Sequence, residues 1–347
     1  MKELTNELGL PWPVVSAIRN HRYTKGKADY SATELLKPPR VRELQRIHDD
    51  EIEEDASEFV FALLGTVAHF ILELGVYYDI WDVVNDLLQL HYEEGRGTRK
   101  TFIKKVNILW KLLVGHYKAD RNGKAVVERR LFWTCPSTGK TISGAIDLVY
   151  PDRVITDYKM MSVYEGIHGL KQEKIQQLNI YNLLACEGVT SDGHPSDLDP
   201  PRQLQICSLY RDWSKTKANL ARLKGDSYPQ RQVAVFKLNK WELNETKEFI
   251  AGRIRKHMAA EQELPQCSAN DRWARPPKFA VRKRGRKSAL RVLDSYNDAL
   301  EWMEKNEKGE SVEERPGQSI RCELYCNVSG FCSQWDEIRA YMEAATK

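Results

Sequence analysis

No stretch of this sequence approaches the roughly eighteen apolar residues that a membrane-spanning helix requires. The opening Met1-Lys2-Glu3-Leu4-Thr5-Asn6-Glu7 also lacks the apolar centre of a secretory signal. These absences lead to the expectation of a cytoplasmic protein with no membrane partner. No internal repeat is found, which sets aside a repeat array. Charge of one sign is scarce as well: 53 basic against 49 acidic residues leave a net +4, too little by itself to argue for nucleic acid. Cysteine is missing before Cys135, and in a cytoplasmic chain the seven cysteines present argue against a disulfide framework. Ser137-Thr138-Gly139-Lys140-Thr141 imitates the end of a phosphate-binding loop, but Thr134 stands where the first glycine is required and the segment continues as a strand pattern. No ATP binding is therefore expected.

What is present is ordinary globular composition, 41% hydrophobic and 29% charged over 347 residues, enough for one large core or two modest ones. Residues 1–40, broken by Pro11, Pro13, Pro38 and Pro39, read as an N-terminal arm with a short helix. Residues 41–118 have helical spacing; 125–132, 140–149 and 154–160 read as strands; 171–187 as a helix; 203–210 and 233–238 as strands; and 240–263 as a long helix. After Leu264-Pro265 the composition turns to Arg, Lys and Cys, giving expected domains of 1–40, 41–263 and 264–347, with 305–318 as a linker. Residues 272–291 hold nine basic residues and no acid, among them Arg272, Arg282, Lys283, Arg284, Arg286 and Lys287. They suit a phosphate-contacting ribbon, and equally a solvated hairpin turning at Arg284-Gly285-Arg286. The acidic run 49–55 reads as a solvated helix start.

The most informative segment is 144–159. Asp157 and Lys159 lie two apart in Val154-Ile155-Thr156-Asp157-Tyr158-Lys159, so they share one face of a strand. Tyr150-Pro151-Asp152-Arg153 is a turn that can fold Asp147 back beside Asp157. Two carboxylates can hold a divalent ion, and an ammonium beside them can position and polarise water. Upstream, Gly65, His69 and Glu73 are each four apart on one helix face, and the imidazole can complete a metal shell. Downstream, Gln177 and Tyr181 are likewise one helical turn apart.

The order His69, Asp147, Asp157-Tyr158-Lys159, then Gln177 to Tyr181, resembles the RecB-like branch of the PD-(D/E)xK nuclease superfamily, which includes phage exonucleases and CRISPR-associated adaptation nucleases. The resemblance spans roughly residues 31–332. It implies an α/β fold, with a restriction-endonuclease-like mixed central sheet flanked by helices, a helical N-terminal region and a cysteine-stapled C-terminal cap. It further implies a metal-dependent DNA exonuclease of phage or prophage recombination or repair, in which His69, Asp147, Asp157 and the Tyr158 carbonyl hold Mg²⁺ or Mn²⁺. Lys159 is the catalytic lysine, with Gln177 and Tyr181 orienting it or touching DNA, and Glu128 matches a further acidic position. A nitrogen ligand beside carboxylates favours Mn²⁺. The alternatives are a CRISPR-adaptation-type nuclease trimming spacer precursors and a catalytically silent DNA-binding scaffold.

Cys135, Cys186 and Cys207 read as small core residues. Cys322, Cys326 and Cys332 lie within eleven residues, with Cys267 as the nearest fourth thiol. Four such thiolates fit a metal, and the resemblance implies a [4Fe–4S] cluster, with zinc as the alternative. The expected partners are single-stranded DNA or DNA ends and a single-strand annealing protein. Trp213 and Trp273, each beside basic residues, are candidates for base stacking as well as for core packing.

Overall fold

In a computed structural model the described residues are 4–20, 25–76, 126–150, 152–306 and 308–345. The expected helical positions beyond 76 and the Glu73 side chain lie outside them. The chain forms two compact units, one of Met1–Leu36 with Glu54–Ile254 and one of Lys37–Glu53 with Arg255–Lys347. These breaks differ from the expected boundaries at 40 and 263. The reason is packing: Val41, Leu44 and Ile52 share a core with Val328 and Cys332, so the segment after Leu36 belongs with the C-terminal part.

The first unit is mixed α/β. Its sheet comprises β1 (Tyr30–Ser31), β2 (Val126–Thr134), β3 (Thr141–Val149), β4 (Val154–Met161), β5 (Gln203–Tyr210) and β6 (Val233–Leu238). The order is β1-β3-β4-β5-β6, with β2 on the other edge of β3. β1/β3 and β4/β5 are parallel and the remaining pairs antiparallel. β-branched residues in alternation make these strands, and the inward members Leu131, Ile142, Ile146, Ile155, Leu204 and Ile206 are buried. In chain order the helices as far as Ala260 are α1 (Trp12–Asn20), α2 (Ala32–Leu36), α3 (Pro39–Ile47), α4 (Val60–Val76), α5 (Val163–His168), α6 (Gln172–Glu187), α7 (Lys215–Lys224) and α8 (Leu243–Ala260), of which α3 belongs to the second unit. α6 crosses the sheet with every residue from Gln177 to Ala185 buried. Gly144 of β3 lies under it: a Cβ there would stand 2.6 Å from the Tyr181 ring and 2.8 Å from Leu184. The acidic run ends at Asp55, whose carboxylate caps the turn Ala56–Phe59 by accepting from the Ser57 amide at 2.9 Å, just before α4.

One edge of β3 serves two neighbours. β1 pairs with Ile142 and Ser143, β4 pairs with Leu148 and Val149, and among the described residues the stretch between them has no strand partner on that side. Beyond the Leu148–Thr156 pair, β3 and β4 splay apart, and β4 continues alongside β5 from Val154 to Met161. The splay opens at Asp147 and Asp157.

The second unit contains α3, a three-stranded sheet of β8 (Lys278–Arg282), β9 (Arg291–Leu293) and β10 (Ser311–Arg315), and a short pair of β7 (Ala274–Arg275) with β11 (Gln318–Ser319). β8 and β9 form the expected basic hairpin, turning through Gly285 at φ +82°. The expected linker 305–318 is corrected: it contains β10, held by a five-residue ladder to β8. Alternating Val312 with charged neighbours is enough for an edge strand, whereas the Gly and Pro nearby suggested a linker.

Candidate metal centre

Four elements of the first unit bring the candidate residues together: α4 supplies His69, β2 Glu128, β3 Asp147, and β4 Asp157 with Lys159. His69 Nε2 lies 3.0 Å from the Tyr158 carbonyl. A carbonyl only accepts, so Nε2 carries the hydrogen, and in the neutral ring the Nδ1 lone pair is left for another partner. Nδ1 faces Asp147 Oδ2 at 3.6 Å and Glu128 Oε1 at 3.9 Å. Those distances exceed hydrogen bonds. They suit donors arranged around a cation, and the ligand atoms of His69, Glu128 and Asp147 all lie within 4.8 Å of one another. One imidazole nitrogen and two carboxylates form a donor set that fits Mn²⁺ well.

Where β3 and β4 diverge, the amide of Tyr158 has no ladder partner on β3. The Asp147 carboxylate replaces it, with Oδ2 accepting from that amide at 2.8 Å. Glu128 reaches the centre through an unusual backbone, φ +47° within β2. The register runs unchanged through Val127–Leu148 and Arg129–Ile146, so Glu128 stands opposite Asp147.

Asp157 is fully buried and directed toward Lys159: Nζ donates to Oδ1 at 3.0 Å and lies 2.8 Å from Oδ2. Among the described residues Oδ2 accepts no aligned hydrogen bond, an incomplete arrangement for a buried carboxylate oxygen. Burial and the charge of Asp157 push the Asp147 carboxyl up to about 7, against the opposing pull of Lys159, His69 and the Tyr158 amide. His69 is raised, first by its interaction with Glu128 and then by Asp147, against burial. Burial disfavours the Lys159 ammonium, but Asp157 and Asp147 outweigh it and its pKa is raised. Lys159 is therefore a cation and a donor at neutral pH.

The structure distributes the expected residues in a particular way. His69 and Asp147 converge with Glu128, whereas Asp157 is occupied by Lys159 and the Tyr158 carbonyl by His69. Gln177 and Tyr181 are buried and bonded to each other, Nε2 to Oη at 2.7 Å. Lys174, one turn before them, was not singled out in the sequence. It pairs with Glu165 at 2.6 Å, and burial lowers its pKa, with the nearby Lys159 charge contributing in the same direction. The spacing of 174, 177 and 181 on one helix carries that signal.

In the second unit Cys267, Cys322, Cys326 and Cys332 line one cavity, together with Arg40, Arg272 and Arg321. Burial pushes the Cys267 thiol up to about 12 and that of Cys322 up to about 11. Among the described residues the sulfurs do not form a group mutually within 4.8 Å as the His69 centre does. All seven cysteines are free thiols.

Of the basic ribbon, Lys283, Arg284, Arg286 and Lys287 are exposed at the hairpin tip. Arg282 is engaged by Glu313 at 3.0 Å, and Arg272 donates to Ser319 Oγ at 2.7 Å beside the cysteine cavity. Trp213 donates to the Pro229 carbonyl at 2.8 Å and packs against the Met161 cluster. The Arg321 guanidinium lies 5.3 Å from the Trp273 ring.

No protein-family model matches the chain, and no curated protein matches it. Among solved structures, the crystal structure of SSO0001 is similar over 70% of this chain and 83% of that one, at 13% identity and a TM-score of 0.38. No helix among the described residues is long and apolar enough to cross a membrane. The functional reading therefore rests on this chain's own residues.

Proposed function

We propose that the first unit is a metal-dependent DNA nuclease of RecB-like PD-(D/E)xK type, acting on DNA ends or single strands. Its sheet, opening at Asp147 and Asp157, is read as restriction-endonuclease-like. The observation that carries the proposal is the convergence of His69, Glu128 and Asp147 beside a buried Asp157–Lys159 pair at the point where β3 and β4 separate. A divalent cation held by that trio would acidify water and offset phosphoryl charge. The chain's own residues have separable tasks. The Tyr158 carbonyl fixes the His69 tautomer, which turns Nδ1 toward the carboxylates. Asp157 anchors Lys159, which offers N–H donors and positive charge to a nucleophile or phosphoryl oxygen and does not act as a base. Asp147 must give up its proton to serve as a ligand, so cation binding releases a proton there.

The second unit is proposed to hold a [4Fe–4S] cluster on Cys267, Cys322, Cys326 and Cys332. All four line one cavity flanked by arginines, a donor set suited to an anionic thiolate group. Tetrahedral zinc is the alternative occupant of the same four thiols.

The discriminating experiment compares wild type with Lys159→Ala for DNA binding and cleavage in Mn²⁺. Equal binding with cleavage only by wild type supports the nuclease. Binding without cleavage by either protein supports a silent DNA-binding scaffold.

A further inference from the structure

Arg40 of α3 is only 5% exposed, and a buried guanidinium needs partners for its whole fork. It has them. Nη1 donates to the carbonyls of Leu264 at 3.3 Å and Pro265 at 3.4 Å, and Nη2 donates to Ser333 Oγ at 2.8 Å. Nε is different, because it donates to the sulfur of Cys332 at 3.2 Å. A neutral thiol is a weak acceptor, whereas a thiolate accepts a charge-assisted bond from a cation. Three oxygen contacts are enough to tie α3 to the chain around Leu264 and Ser333. The fourth aims a fixed donor at one of the four sulfurs lining the cysteine cavity.

We propose that Arg40 is the positioning residue of the cysteine centre: its Nε–H, aimed at the Cys332 sulfur at 3.2 Å, orients that ligand and raises the reduction potential of the cluster the four cysteines bind. This rests on the cluster reading above. One-electron reduction adds negative charge to the cluster and its thiolates, so an N–H···S bond is stronger in the reduced form and favours it. The three oxygen anchors keep Nε on the sulfur in both states, which makes the bond a fixed feature of the site.

The test uses full-length protein purified without oxygen, as wild type, Arg40→Lys and Arg40→Met. Iron and sulfide content, thermal unfolding and a dithionite titration followed by visible absorbance are measured on each. Arg40→Lys keeps the positive charge but loses the fork. It is expected to fold, to retain most of its iron, and to show a midpoint shifted to more negative potential. Arg40→Met is expected to shift further in the same direction and to lose iron faster under chelator challenge. If Arg40→Met does not fold, the midpoint of Arg40→Lys decides. A wild-type midpoint in cluster-loaded Arg40→Lys overturns the inference while leaving the cluster reading intact. Wild-type protein that holds zinc, or no metal, overturns the cluster reading and this inference with it.

Discussion

Glu128 holds a left-handed φ of +47° in the middle of a strand, a conformation that strains a non-glycine residue by about 1–3 kcal/mol. The strain brings its carboxylate toward His69, as expected where geometry serves binding over stability. Glu128→Gly removes that strain at a backbone-entropy cost of about 0.5–1 kcal/mol. The variant is therefore expected to be about 1 kcal/mol more stable in EDTA by urea unfolding, while its stabilisation by Mn²⁺ shrinks. A loss of stability in EDTA contradicts the strain. Asp147 and His69 add a pH signature. Each binds its proton more tightly in the folded than in the unfolded chain, so their stabilisation is lost as pH rises, for Asp147 from about 4 through about 7. In EDTA the unfolding temperature should fall between pH 5 and 8, and the increment given by Mn²⁺ should be larger at pH 8; an increment equal at both pH values contradicts this. Asp147, Asp157, Lys159 and His69 were singled out from strand alternation and helical spacing together with the family resemblance, and the structure brings them near one another. Glu128 was singled out through the family resemblance alone, and the left-handed dihedral at its position in β2 has no local sequence signal.

At the level of elements, the site depends on a sheet that opens and on a helix that braces it. α6 lies close enough to β3 that only glycine fits at position 144. Gly144→Ala must displace Tyr181 and Leu184, and is expected to cost about 1–3 kcal/mol in denaturant unfolding, the range for overpacking a tight core. An unchanged midpoint means α6 yields freely, and the Gln177–Tyr181 pair is then not held against the sheet. β3, β4, β5 and β6 were legible within one residue at their ends, because β-branched alternation and the Tyr150–Arg153 turn are local signals. The divergence of β3 from β4 and the sharing of the β3 edge were not, since they arise from pairing with β1 and β5 far away in sequence. The same reason explains β10, whose partner β8 lies some thirty residues upstream.

For the whole molecule, a net charge of +4 conceals its distribution. The exposed cations at the β8–β9 tip are a compact cluster, and each phosphate they neutralise contributes about 0.9 to the slope of log affinity against log salt. Replacing Lys283, Arg284, Arg286 and Lys287 with alanine should lower that slope by about 2 to 4 and weaken DNA binding without regard to sequence. An unchanged slope places the DNA elsewhere. The central claim, that the splayed carboxylates and Lys159 cleave DNA, is tested most directly by incubating end-labelled single- and double-stranded DNA with Mn²⁺, Mg²⁺ or EDTA and comparing wild type with Asp157→Ala. The account predicts label loss that requires the divalent ion and falls at least about 100-fold in the variant, the scale of removing one electrostatic element of a site. Cleavage undiminished in Asp157→Ala, or no cleavage by wild type with any ion, would contradict it.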